Sequence, residues 1–308
     1  MLQVKTLTCA TRASRLALIQ AQTVVAALEA AGRHSEILEV TTTGDRVQDR
    51  SIASIGVQSL FVKELETALR DGRADYAVHS CKDLPSVLPD DMEIVAVSSR
   101  EDPRDAFCSE RFADFDALSS GARVGTSSLR RRAQLAALRP DLAYIDVRGN
   151  VDTRLRKLRE GQYDALVLAM AGLQRLQSAA KYTVPFSPEL IVPAAGQGAL
   201  AVEMARSRAS EEFGLRETLN VEAVELAVLA ERSALAELRG GCQAPIGIYA
   251  TYTGAAMRVT ARVASIDGAK TIRAARWRLH PDKEAAIRMG REVAGQLLAS
   301  GAAELLAA

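Results

Sequence analysis

One structural joint occurs twice in this chain. Arg70-Asp71-Gly72-Arg73-Ala74-Asp75 and Arg159-Glu160-Gly161-Gln162-Tyr163-Asp164 lie 89 positions apart. Each reads as a helix end, a glycine, an aspartate and then an apolar strand. Helix–glycine–strand joints belong to alternating α/β folds, because glycine takes the left-handed conformation that stops a helix. A repeated joint implies two similar α/β lobes facing each other across a cleft. The flanking segments agree. In the first lobe Leu7–Ala10 reads as a strand. Ser14 caps a helix that runs from Leu16 to Ala31 and stops at Gly32. Glu36–Thr41 is a second strand, Leu60–Leu69 has helical spacing, and Tyr76–Val78 is a third strand. In the second lobe Arg123–Gly125 ends a strand, and Thr126-Ser127-Ser128 leads into a helix. Tyr144–Val147 and Tyr163–Ala169 are further strands. Ligands of such folds bind at the carboxyl ends of the strands.

The last third of the chain has a different period. Val221–Leu238 is one long helical pattern. Met257, Val259, Ala261 and Val263 alternate with Arg258, Thr260 and Arg262, as in a half-buried strand. Asp267-Gly268 is a turn, Arg276–Leu279 alternates again, and Ala285–Leu297 is a closing helix. The expected division is an α/β lobe of residues 1–98 and 199–216, a second of 99–198, and a C-terminal α+β domain of 217–308.

Length and charge narrow the function classes. The 308 residues suit two or three domains. No apolar run of about 18 residues is present, so no transmembrane helix is expected. The start, MLQVKTLTCATRAS, lacks the apolar core of a signal peptide, which places the expected location in the cytoplasm. A net charge of +1 argues against a nucleic-acid partner. Arginine outnumbers lysine 32 to 7, and residues 121–160 hold ten basic against four acidic residues. That run is either a solvated basic face or an anion-binding cleft. Four scattered cysteines and three histidines form no ligand cluster, so no metal site is expected. Cys9 lies in an apolar stretch and is expected to be buried and inert. Cys242 lies among glycines and a proline, in a loop that leaves its thiol accessible.

Three segments carry chemistry. Ala10-Thr11-Arg12-Ala13-Ser14 joins a strand to a helix start, where free N–H groups and Arg12 suit an anion. Gly125-Thr126-Ser127-Ser128-Leu129-Arg130-Arg131 repeats the device in the other lobe, although neighbouring arginines on a helix are expected to point to different faces. His79-Ser80-Cys81-Lys82-Asp83-Leu84-Pro85 sets an amine and a carboxylate just past a strand end. Arg148, Arg154 and Arg175 follow near later strand ends. Such a set suits a ligand with several carboxylates.

The ordered motifs ATRxS, LFVKELE, AVHSCKDLP, EDPRDAF, VGTSSLRR, VRGNVDTRL, PAAGQGA and GGCQAPIG resemble those of the porphobilinogen deaminase (hydroxymethylbilane synthase) family, from about residue 7 to 302. The resemblance implies two periplasmic-binding-protein-like lobes and a third domain with a three-stranded antiparallel sheet. It implies a dipyrromethane cofactor joined by a thioether to Cys242. It also implies an enzyme that condenses four porphobilinogen molecules head to tail, releasing ammonia each time, and hydrolyses off linear hydroxymethylbilane. By motif position Asp83 is the catalytic residue, stabilising the cationic methylene-pyrrolenine left by ammonia loss. Ser14, Lys82, Asp83, Thr126, Ser127, Ser128, Arg130, Arg131, Arg148 and Gln197 map to the cofactor, and Arg12, Arg148, Arg154 and Arg175 to the substrate. The family further implies a monomer. One departure stands out: Gln58 occupies a loop position where relatives often carry lysine. A two-lobed carboxylate-binding protein without activity, or the effector domain of a transcription factor, shares the lobes but needs neither Cys242 nor Asp83.

Overall fold

The computed structural model describes residues 5–41, 59–211, 213–241 and 244–307. The chain divides into two compact units, Met1–Arg100 with Ala199–Glu225, and Glu101–Gly198 with Leu226–Ala308. Among the described residues no helix is long and apolar enough to cross a membrane.

The first unit is built on strands β1 (Leu7–Arg12), β2 (Ser35–Val40), β3 (Tyr76–Ser80), β4 (Met92–Val97) and β10 (Leu200–Ala205), in the order β2-β1-β3-β10-β4. Strands β1, β2 and β3 are parallel, and β10 runs antiparallel between β3 and β4. Helix α1 (Arg15–Ala30) covers one face, with Val24 and Leu28 against Cys9, Tyr76 and Val78. Helix α2 (Ser59–Arg70) covers the other, with Leu65, Ala68 and Leu69 against Ala10 and Ala77. Burial pushes the Cys9 thiol up to about 12, so it is the inert thiol its apolar context implies.

The second unit repeats this plan. Strands β5 (Asp105–Ser109), β6 (Arg123–Gly125), β7 (Ala143–Ile145), β8 (Ala165–Ala169) and β9 (Tyr182–Pro185) are ordered β7-β6-β8-β5-β9. Helices α3 (Leu129–Leu138), α4 (Val151–Arg159) and α5 (Met170–Leu176) connect them. Again three strands are parallel and the fourth position is antiparallel. In each unit that antiparallel strand, β10 or β5, is the first one made after the chain crosses from the other unit. The duplicated joint is therefore structural. Asp75 donates its N–H to the Thr8 carbonyl and accepts the Thr8 N–H on its carboxylate at 2.8 Å. Asp164 does the same for Arg123, also at 2.8 Å. Gly72 and Gly161 have φ of 68° and 74°, where a side chain would be strained. Registers match throughout: Cys9 sits opposite Tyr76 as Val124 sits opposite Ala165, and Leu200 opposite Ser80 as Asp105 opposite Ala169.

Several strand boundaries differ from the sequence pattern: β1 runs on to Arg12, β3 to Ser80, β2 spans Ser35–Val40, and the last strand starts at Thr271. Two others have a clear cause. β7 stops at Ile145 because the Val147 N–H donates to Ser127 Oγ (3.0 Å) rather than to a ladder partner. β8 starts at Ala165 because Asp164 is spent on the start of β6.

Helix α6 (Leu215–Leu219) belongs to the first unit, while α7 (Glu222–Glu237) starts there and runs on into the second. Strands β11 (Ile246–Tyr252), β12 (Ala256–Ala264) and β13 (Thr271–Leu279) form an antiparallel meander, closed by α8 (Lys283–Ala299) and a short α9 (Ala302–Ala307). Met257, Val259, Ala261 and Val263 alternate inward onto Met289, Val293 and Leu297. Asp282 caps α8 by accepting the Ala285 N–H at 2.7 Å.

Candidate functional site

In the first unit the site residues lie where β1 and β3 end. Arg12 ends β1, and Ser14 accepts the Ala17 N–H at 3.4 Å as the cap of α1. Past β3 the chain makes one 3-10 turn, Cys81–Asp83, fixed by a bond from Cys81 N–H to the Ala199 carbonyl (3.0 Å). Cys81 points into the core, while Lys82 is half-buried and Asp83 exposed. The turn therefore presents an amine and a carboxylate while its first residue anchors it. Gln20, a buried residue of α1, donates to Ser80 Oγ at 2.8 Å and ties the Ser14 helix to this turn.

The second unit centres on Asp105, the first residue of β5. It is fully buried, and both Arg130 and Arg131 reach it. Arg130 Nη1 donates to Oδ2 at 2.6 Å, Arg131 Nε to Oδ1 at 2.8 Å, and Gln197 Nε2 to Oδ1 at 3.0 Å. The expectation that neighbouring arginines serve different faces is thus corrected: their long stems, leaving the first turn of α3, wrap to one carboxylate. Burial raises the Asp105 pKa, but the two guanidiniums overcome it and hold the carboxyl well below its ordinary range. Burial also pulls Arg131 down from its usual value. Two guanidiniums share one carboxylate, so this cluster carries a formal charge of +1 inside the protein. A further anion beside it is electrostatically favoured.

The hydroxyls around this cluster are engaged by the protein. Ser127 Oγ donates to the Val147 carbonyl at 2.7 Å, and Ser128 caps α3 by accepting the Arg131 N–H at 3.4 Å. Thr126 Oγ1 accepts the Ser128 N–H at 3.3 Å. Thr126 and Gln197 are buried. Glu231 of α7, unremarked in the sequence, is also buried; it accepts the Gly196 N–H at 2.6 Å and the Ala250 N–H at 2.7 Å, pinning the Gln197 loop to β11.

The basic run resolves into three groups. Arg123, Arg139 and Arg156 pair with Asp164, Asp141 and Glu160. Arg130 and Arg131 share Asp105. Arg154 donates to the Gly149 carbonyl at 2.7 Å and meets no carboxylate among the described residues. Burial, with Arg131 nearby, lowers its pKa to about 10. Arg175 donates to the Gly198 carbonyl at 2.7 Å, and burial lowers it as well. It too meets no carboxylate among the described residues. Arg148, just ahead of α4, gives its carbonyl to Lys157 Nζ at 3.2 Å. Gly241 accepts the Ala244 N–H at 3.0 Å, and Cys242 between them lies outside the described residues, as does Gln58.

The duplicated α/β units carry capped helix starts, a buried arginine pair of net positive charge, and two half-buried arginines, Arg154 and Arg175, that form no ion pair among the described residues. The family description "Porphobilinogen deaminase, dipyromethane cofactor binding domain" matches residues 7–212, and "Porphobilinogen deaminase, C-terminal domain" matches 225–299. A porphobilinogen deaminase of Roseiflexus sp. (strain RS-1) is 47% identical over 98% of this chain and 99% of its own. That of Nitratidesulfovibrio vulgaris is 47% identical over 98% and 96%. Among solved structures, a putative methionine-binding lipoprotein of Bacillus subtilis aligns over 72% of this chain and 92% of its own, at TM-score 0.44 and 13% identity. The chain belongs to the porphobilinogen deaminase family.

Proposed function

We propose that this chain is a hydroxymethylbilane synthase: it condenses four porphobilinogen molecules, with loss of ammonia, onto a covalent dipyrromethane primer on Cys242 and releases the linear tetrapyrrole by hydrolysis. The family match supports the reaction and the cofactor. The observation that carries the site assignment is the excess of guanidinium over carboxylate in the second unit, with Arg130 and Arg131 sharing Asp105, and Arg154 and Arg175 forming no ion pair among the described residues. Every pyrrole unit of substrate and primer bears an acetate and a propionate, which are the counter-ions such a set lacks.

The primer supplies a nucleophilic pyrrole carbon to each incoming unit. The residues divide the remaining work. Arg130, Arg131, Arg148, Lys82 and the N–H groups behind Ser14, Ser127 and Ser128 hold its carboxylates, and Gln197 with Thr126 keeps that pocket in shape. Arg12, Arg148, Arg154 and Arg175 hold the substrate. Arginine fits because a planar fork fixes orientation as well as charge. Ammonia loss leaves a cation on the substrate; the Asp83 carboxylate, exposed at the tip of its turn, stabilises it and takes the proton released when the new bond forms. A thiol at Cys242 is a fitting nucleophile for the same electrophilic carbon during primer assembly. The expected setting is a cytoplasmic monomer. The direct test is ammonia release from porphobilinogen by the wild type and by Asp83→Asn. Turnover lost in the variant, with its covalent primer retained, supports the assignment; equal turnover overturns it.

A further inference from the structure

The duplication supplies an internal control for a cluster the mechanism above does not use. On the α2 face of the first sheet, His79 Nε2 lies 3.0 Å from Glu203 Oε2, at 5% and 0% side-chain exposure. The alignment is poor for a hydrogen bond, and neither Glu203 oxygen has a hydrogen-bond partner among the described residues. Glu66 of α2 is buried beside them, linked through Arg70 (3.2 Å) to Asp91. Burial, and then Glu203, raise the Glu66 pKa. The matching registers give Leu168 for His79 and Cys108 for Glu203 in the second unit, and the 89-residue offset of the joint gives Leu155 for Glu66. All three are buried, and none is charged. The same fold is thus completed at these positions by apolar side chains. Buried ion clusters are often replaceable by apolar residues with no loss of stability. The fold plan alone therefore does not require charges at these positions in the first unit.

What distinguishes the two positions is the segment that follows. β3 runs into the Cys81–Asp83 turn, whereas β8 runs into α5. We infer that Glu66, His79 and Glu203 are positioning residues for the Lys82–Asp83 turn, holding the end of β3 and placing a buried negative charge behind the reacting carboxylate. The groups involved are His79 on β3, Glu203 on β10, Glu66 and Arg70 on α2, and Asp91 before β4. Three carboxylates face two basic groups, so the cluster has one carboxylate in excess. That excess favours a cationic transition state at the turn and repels a second negative charge there. The inference rests on the proposed hydroxymethylbilane synthase reading.

The test transplants the second unit's residues: Glu66→Leu, His79→Leu and Glu203→Cys together, compared with wild type in ammonia release across pH and in thermal unfolding. The expected result is an unchanged or higher melting temperature, a KM within about twofold, and a kcat lowered about tenfold, the size expected of a unit charge acting across roughly 10 Å of protein. The acid limb of the kcat profile moves to lower pH. Unchanged kcat and pH profile overturn the inference. So does activity lost only in step with melting temperature, with the acid limb in place. If the triple variant does not fold, Glu66→Gln decides: the acid limb moves the same way or the inference fails. A wild type that releases no ammonia instead overturns the functional reading itself.

Discussion

Asp105→Asn isolates the electrostatics of the buried arginine cluster. The change keeps the side chain's shape and removes its charge. Arg130 and Arg131, at 4% and 7% exposure, then lose the carboxylate that balances one of their two charges. Removing one partner of a buried ion pair costs about 3–5 kcal/mol, because the remaining charge stays buried. A solvent-exposed pair such as Arg156–Glu160 contributes under about 1 kcal/mol. Against a total stability of roughly 5–15 kcal/mol, the first loss is large and the second is not. Urea unfolding at pH 7, followed by circular dichroism, compares Asp105→Asn with Arg156→Ala. The variant carries a second signature in acid. The Asp105 carboxyl is held below its unfolded value, so its stabilisation is full above about pH 4 and is lost as pH falls through the lower folded value. Wild-type stability declines in that window by about 1.4 kcal/mol per pH unit from this group, and the variant lacks that component. A loss under about 1 kcal/mol at pH 7, or an unchanged acid slope, refutes the reasoning.

Other consequences follow from single contacts. Arg175→Leu removes the proposed charge-assisted contact to a substrate carboxylate, worth about 1.5–3 kcal/mol, so KM for porphobilinogen is expected to rise at least tenfold with the fold intact by circular dichroism. Glu231→Gln leaves one of two buried N–H groups, on Gly196 or Ala250, without its charged acceptor; a stability loss of about 1–3 kcal/mol in urea checks it. Gly125→Ala places a methyl 2.5 Å from Leu166 Cδ2 and 2.8 Å from Tyr163 Cδ1, and a loss of about 1–3 kcal/mol is expected in the same assay.

The repeated joint was readable because its signals are local: a glycine that needs positive φ and an aspartate that caps the next strand. The strands β5 and β10 were not, although each is central to its sheet. DAFCS and LAVEMA are buried on both faces and show no two-residue alternation. Asp105 was hidden for the same reason, since a lone aspartate in an apolar run gives no sign of the arginines that reach it from 25 and 26 positions away. Glu231 likewise meets its two partners only through tertiary packing. The caps Ser14 and Ser128 were legible, because a cap acts within one turn. Adjacent arginines converging on one acceptor run against helix periodicity, and only the placing of Asp105 within reach of both stems explains them.

The central claim is a polymerising enzyme primed on its own cysteine. The intact mass of the denatured protein, wild type beside Cys242→Ser, tests it most directly. The account predicts an excess equal to two linked pyrrole units on the wild type, or its gain on incubation with porphobilinogen, and the bare sequence mass for the variant. A wild type that keeps the bare mass after that incubation, or a variant that gains the same excess, contradicts it.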